Sequence, residues 1–287
     1  MKDTIFSSKI TLNCQGNLHE FDNPIIMGII NTTPDSFFEG SRLNSIDSIS
    51  AQTQRFINEG VNIIDIGGYS SRPGADDVSE KDELDRILPA IKKIREKFPE
   101  ILISIDTFRT NIAQSALKAG ANIINDISGG QNNASIYKTA ANFLAPYIMM
   151  HMRGTPQNMQ KDTTYKNLLK ELILFFSNQI KIAQKNGVND IIIDPGLGFS
   201  KTLNQNYEII SKISLLNVLE KPVLIGLSRK SMLYNLLGNT ANECLNATTI
   251  TNTLAVINGA NILRVHDVKE AVEIQKIIGK IKEINLQ

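Results

Sequence analysis

Cysteine is scarce in this chain. Cys14 and Cys244 are the two among 287 residues, far apart and in no metal-type spacing. That pattern argues against a disulfide framework, and both thiols are expected to be free in a reducing cytoplasm. Histidine is nearly as scarce, with three in all, and no Cys/His cluster suggests zinc. No apolar stretch approaches the roughly 20 residues of a membrane span. The opening MKDTIFSSKI lacks the apolar run of a secretory signal. A net charge of +1 gives no electrostatic case for nucleic acid or an anionic membrane surface. Gly67, Gly68, Gly196 and Gly198 are turn glycines and form no dinucleotide fingerprint. No linker, low-complexity tract or repeat of 20–50 residues is visible, so one domain over 1–287 is expected.

What is present is a rhythm. Eight short β-branched runs fall at 25–30, 61–66, 101–105, 122–125, 145–150, 191–194, 223–226 and 261–265, each followed by a longer, more polar, helix-like stretch. Such runs read as buried parallel strands inside a layer of amphipathic helices. Gly60, Gly120 and Gly187 have the placement of helix C-caps. The last helix is expected from Asp267, with Glu270 completing a capping box and Ala271, Ile274, Ile277, Ile278, Ile281 and Ile284 at helical spacing. Residues 4–23, with turn residues Gln15-Gly16-Asn17, are expected to form a β-hairpin lid or plug. A (β/α)₈ barrel typically needs about 250 residues, so the expected class is α/β, a TIM barrel with a short N-terminal hairpin. A doubly wound open sheet is the alternative.

In such a barrel the active site lies at the C-terminal ends of the strands. The residues there are polar: Asn31, Gly67-Gly68-Tyr69-Ser70-Ser71-Arg72-Pro73, Asp106, Asn125-Asp126, His151, Asp194, Ser228-Arg229-Lys230 and Arg264-Val265-His266-Asp267. Burying so many polar groups at one mouth calls for a ligand, water or mutual pairing. Asp106, Asn125 and Asp194 have the groups that read an amino-pyrimidinone edge by parallel hydrogen bonds. Arg264 and His266, two apart on one strand, point the same way beside a helix N-terminus and suggest an anion site. Asn31 offers an oxygen suited to Mg²⁺. Bland readings compete. Asp106 and Asp194 can be helix caps or partners of Lys230 or Arg229, Asn125 can satisfy a loop, and Arg264 can be a salt-bridge residue. His151, after Met149-Met150, reads as structural, and the methionines as core.

Taken together, the segments Met27-Gly28-Ile29-Ile30-Asn31-Thr32-Thr33-Pro34-Asp35-Ser36-Phe37, Asp65-Ile66-Gly67-Gly68-Tyr69-Ser70-Ser71-Arg72-Pro73-Gly74, Ser104-Ile105-Asp106-Thr107, Asp194-Pro195-Gly196-Leu197-Gly198-Phe199, Ser228-Arg229-Lys230-Ser231 and Arg264-Val265-His266-Asp267 resemble the dihydropteroate synthase family. Tyr69 and Ser71 stand where that family usually carries Glu and Thr. The resemblance implies a transferase of folate biosynthesis that condenses a dihydropterin pyrophosphate with p-aminobenzoate and is a sulfonamide target. It implies a pterin pocket of Asp106, Asn125, Met150, Asp194, Gly198, Lys230 and Arg264. It implies a pyrophosphate and Mg²⁺ site of Asn31, Arg72, Arg264 and His266. Ser71, Arg72, Pro73, Phe199, Ser228 and Lys230 would take p-aminobenzoate. Asn31, Arg72, Asp106, Lys230, Arg264 and His266 are the implied catalytic set. Loops at 32–44 and 67–79 would close over the reaction, and a homodimer through outer helices near 204–220 and 240–284 is expected. A corrinoid-linked pterin methyltransferase and a non-catalytic pterin-binding paralogue are the competing readings.

Overall fold

A computed structural model describes residues 9–32, 46–69, 77–131 and 134–285. The eight runs form eight parallel strands: β3 Ile25–Asn31, β4 Ile63–Gly67, β5 Leu102–Asp106, β6 Ile123–Asp126, β7 Tyr147–Met150, β8 Ile191–Asp194, β9 Leu224–Ile225 and β10 Ile262–Val265. They lie in the order β8-β7-β6-β5-β4-β3-β10-β9, and a bridge from Ile193 to Val223 brings the two outer strands together into a nearly closed barrel. The strand expected at 223–226 is reduced to two residues. On its β10 side the Val223 N–H goes to the side-chain oxygen of Asn261 at 2.7 Å, so a side chain replaces part of the ladder.

Strand alternation sorts the isoleucines into two sets. Ile26, Ile64, Ile103, Ile124, Ile193 and Leu263 face outward and pack with buried helix residues such as Phe56, Ile91, Ile112 and Phe176. Ile25, Met27, Ile63, Leu102, Ile123, Ile148, Ile192, Leu224 and Ile262 face inward and fill the lower barrel. The hairpin, β1 Ile10–Cys14 and β2 Asn17–Phe21, adds Ile10, Leu12 and Cys14 to that inner cluster, which makes it a plug at the barrel floor. Gln15 and Gly16 turn it with φ of 57° and 91°, the pair of positive values that suits a two-residue hairpin turn. Cys14 and Cys244 are both buried and free.

The surrounding helices are α1 Ile46–Glu59, α2 Glu80–Lys97, α3 Thr110–Lys118, α4 Ser135–Asn142, α5 Leu168–Lys185, α6 Leu203–Ser211, α7 Ser231–Leu237, α8 Leu245–Ile257 and α9 Val268–Asn285. Ser79 caps α2 and Thr202 forms a capping box on α6. The apolar stripe expected along α9 divides. Ala271, Ile274 and Ile278 are buried, whereas Ile277 and Ile284 are each 62% exposed. Helical spacing gave one stripe, but the barrel covers only one side of it. The carboxylate of Asp267 receives the fork of Arg229, at 3.0 and 2.8 Å.

Candidate active site

Register builds the site. Asn31 pairs with Gly67, Gly67 with Asp106, and Asp106 with Asn125, so four neighbouring strands present these residues in one row. The same inward parity that is apolar at the floor turns polar here. Asp65, Ser104, Asp106, Asn125, Asp194 and Arg264 stand above the isoleucine layer. Gly67 leaves a gap in the row, where a Cβ would lie 3.7 Å from both Asn31 Oδ1 and Asp106 Oδ2.

Arg264 ties the acids together. Its Nε donates to Asp65 Oδ2 at 2.6 Å and its Nη2 to Asp106 Oδ2 at 2.6 Å. Asn125 Nδ2 also donates to Asp65, at 3.2 Å. Burial works against the Arg264 charge, but Asp65 and Asp106 outweigh it and raise its affinity for the proton. Burial pushes Asp106 well above the usual carboxylate range; Arg264 opposes this and Asp65 adds to it. One guanidinium shared by two carboxylates cannot neutralise both.

On the opposite wall, Asp194 Oδ1 accepts the N–H of Gly196 at 2.7 Å. Burial raises Asp194, while the charge of Lys230 pulls it back down. Lys230 donates to the carbonyl of Leu197, and its ammonium lies 4.8 Å from the centre of the Phe199 ring. Burial lowers Lys230 to about 8, against the pull of Asp194. Gly198, at φ 84°, passes so close that a Cβ would stand 3.3 Å from the lysine chain. Met150 joins Ile127, Met152 and Met159 in an apolar wall, with Phe108 and Phe199 packed against it. A flat heterocycle between this wall and the acids would have both faces and edge satisfied.

Ser228 is buried, and its Oγ lies 3.2 Å from His266 Nδ1 and accepts the His266 N–H at 3.2 Å. The alternatives left open for the acids resolve. Asp106 meets Arg264, and Asp194 receives a loop amide. Asp126, next to Asn125, turns the other way and takes the Tyr147 hydroxyl and the N–H groups of Ser128 and Gly130. Ser71, Arg72 and Pro73 lie outside the described residues, as does most of both expected closing loops.

Tyr69 meets Phe108 edge-on, with ring centres 5.2 Å apart, and its hydroxyl accepts from Gln157 at 2.9 Å. Arg109 lies over both rings and is held by Glu83 at 2.6 Å. Tyr69, Phe108, Arg109 and Gln157, with Ile127, Ser128 and Met152, line a cleft of about 440 Å³ at the barrel rim.

Reading strand ends missed two residues. Asp65 lies inside β4, one turn of the pleat below Gly67, and is wholly buried. An Asp of inward parity within IIDIG was the available signal, because such a carboxylate requires partners. Lys201, also buried, places its side-chain nitrogen 3.1 Å from His151 Nδ1. Nothing in its local sequence marks it. As for a metal, no group of three or more His, Cys, Asp or Glu residues among the described ones could hold an ion. Asn31 contributes one amide oxygen at the mouth. That donor set fits a hard cation whose other ligands are diphosphate and water.

The family model described as pterin binding enzyme matches residues 27–266. A dihydropteroate synthase from Synechocystis sp. is 44% identical over 255 residues, 88% of each chain. The Yersinia pestis dihydropteroate synthase, solved with a sulfonamide drug complex, superposes with a TM-score of 0.90 at 36% identity, over 96% of this chain and 100% of that one. The Xanthomonas albilineans enzyme, solved in complex with 7,8-dihydropteroate, gives a TM-score of 0.84 at 30% identity, over 95% and 99%. The chain therefore belongs to the pterin binding enzymes and, among them, to the dihydropteroate synthase family.

Proposed function

We propose that this site joins 6-hydroxymethyl-7,8-dihydropterin pyrophosphate to p-aminobenzoate, giving 7,8-dihydropteroate and pyrophosphate. The observation that carries the reading is the acid row bridged by Arg264, facing Asp194, Lys230 and Phe199 across the barrel mouth. Asp106, Asn125 and Asp194 read the amino-pyrimidinone edge, and Met150 and Gly198 border the ring. Phe199, Lys230 and Ser228, with Ser71, Arg72 and Pro73, receive the aryl carboxylate. Sulfonamides, which mimic that acid, compete there. Asn31, Arg264 and His266, with Arg72, bind the diphosphate. Asn31 would hold Mg²⁺, which would supply positive charge against the leaving group.

The methylene C–O bond breaks first, and its electron pair leaves with pyrophosphate. Asp106 and Asp194 stabilise the cation left on the ring. The arylamine lone pair then forms the C–N bond, and the nitrogen loses a proton. Positioning and preorganised charge provide the acceleration, and no covalent enzyme intermediate is required.

A second copy of the chain completes the assembly. Leu236, Leu237, Ile250, Leu254, Ile257 and Ile277 are exposed on α7, α8 and α9, helices that pack side by side. Apolar area of that extent marks an interface. Among the described residues no helix is long and apolar enough to cross a membrane. The buried free thiols support a reducing compartment, the cytoplasm.

The test is pyrophosphate release from the pterin pyrophosphate with Mg²⁺, with and without p-aminobenzoate, following dihydropteroate in parallel. Product that depends on both substrates is expected. Pterin binding without turnover would overturn the reading, and absence of pyrophosphate release or isotope scrambling without the amine would replace the stepwise order by a concerted one.

A further inference from the structure

Lys201 is 3% exposed and belongs to the loop that joins β8 to α6, its side chain folded back under that loop. Its side-chain nitrogen donates to Gly196 O at 3.1 Å and Phe199 O at 3.0 Å, reaches His151 O at 3.4 Å and lies 3.1 Å from His151 Nδ1; burial lowers it to about 7, against the pull of the Asp194 charge. None of these partners is a carboxylate. A buried ammonium without an ion pair is costly, and the cost falls only when its donors are all used. If the position needed only filling, methionine would do so without that penalty. What the ammonium adds is convergence: its acceptors come from two segments, the end of β7 at His151 and the loop at 196–199.

That loop carries much of the site. Phe199 lies beneath the Lys230 ammonium, and Leu197 O accepts from Lys230. Gly196, at φ 67°, is pressed so closely onto β7 that a Cβ would stand 2.1 Å from His151 O. His151 is itself fixed, edge-on to Phe175 with ring centres 4.8 Å apart. An ammonium has no lone pair, so a charged Lys201 requires His151 Nδ1 to be the acceptor and leaves the ring proton on Nε2. Burial first, then the charges of Lys201 and Arg153, hold His151 neutral, down to about 2.

We propose that Lys201 is a positioning residue for the synthase reaction, an internal clamp that ties the 196–199 loop to His151 and so sets Phe199 and Lys230 for the incoming arylamine. The proposal rests on the reading of Phe199 and Lys230 as the p-aminobenzoate site. Two measurements on the full chain test it. In ¹⁵N-histidine NMR, with the three histidines assigned by single substitutions, His151 should carry its proton on Nε2 from about pH 6.5 to about pH 5, below the value of about 7 to which burial lowers Lys201 and where an ordinary histidine titrates. A proton on Nδ1, or titration in that window, overturns the clamp, and this measurement needs no variant at position 201. In kinetics, Lys201→Met should raise the p-aminobenzoate KM on the order of ten-fold or more, since small misplacements near a reacting centre are costly. The KM for the pterin pyrophosphate, which also leans on Asp106 and Asn125 from other strands, should move less than about three-fold. A folded Lys201→Met with unchanged p-aminobenzoate KM overturns the proposal. A wild-type chain with no synthase turnover would sink the proposed function instead, and the histidine spectrum would still decide the clamp.

Discussion

Asp65 and Arg264, 199 residues apart in the chain, meet inside the barrel through a 2.6 Å bond from Arg264 Nε to Asp65 Oδ2. The Asp65 side chain is 0% exposed, whereas Asp106, the second partner of the same guanidinium, is 17% exposed. The inner bond anchors Arg264, and the outer one faces the mouth where a ligand enters.

Asp65→Ala should therefore damage both stability and catalysis. Removing one partner of a buried ion pair costs about 3–5 kcal/mol, which urea denaturation will register. In Asp65→Asn, which keeps the shape, we expect kcat/KM to fall on the order of 10²-fold through misplacement of Arg264. Wild-type kinetics in Asp65→Asn would show that Arg264 does not depend on this anchor.

Pterin binding should strengthen as pH rises through the raised pKa of Asp106. Burial raises that pKa, so the folded state holds the proton more tightly than the unfolded chain does. The associated stability is present below the ordinary carboxylate range and is lost as pH rises through the raised value. Edge recognition needs the carboxylate, so affinity moves the opposite way. Calorimetric titration of a pterin against pH should show this rise, and Asp106→Asn should bind weakly with the rise removed. An equal rise in Asp106→Asn would assign it to another group.

Stability should fall on acidification through His151. Its folded pKa is lowered to about 2, chiefly by burial. The contribution is present above the unfolded value near 6.5 and is lost as pH falls toward the folded one. The slope from one such group is at most about 1.4 kcal/mol per pH unit. Denaturation midpoints from pH 7 downward, compared with His151→Gln, check it, since the variant should show a shallower acid slope. Parallel slopes would remove His151 as the cause.

Replacing the exposed apolar face by charge should change the assembly and not the fold. Leu254→Glu with Ile277→Lys is expected to give a folded monomer by sedimentation, where the unaltered chain sediments as a dimer. A monomeric unaltered chain would refute the proposed interface.

Asn31, Asp106, Asn125 and Asp194 were legible because each ends a β-branched run, and a strand's end is a local feature. His151 was legible as a buried structural histidine from its methionine neighbours. Asp65 was legible only in part, since its inward parity shows in IIDIG but its partner lies on β10. Lys201 was not legible, because its acceptors come from a loop and a strand that meet only once the barrel has formed. The stripe on α9 misled for the same reason: periodicity records which residues can share a face, while burial depends on what lies opposite.

The sequence by itself determined the alternation of strand and helix, the hairpin, and the chemical character of the barrel mouth, because these follow from periodicity, capping and turn chemistry within a few residues. Tertiary structure alone decided that Arg264 bridges Asp65 and Asp106, that Lys201 ties a loop to His151, and that half of the α9 stripe remains uncovered. Those outcomes depend on distances between segments far apart in the chain, which strand register and barrel closure set.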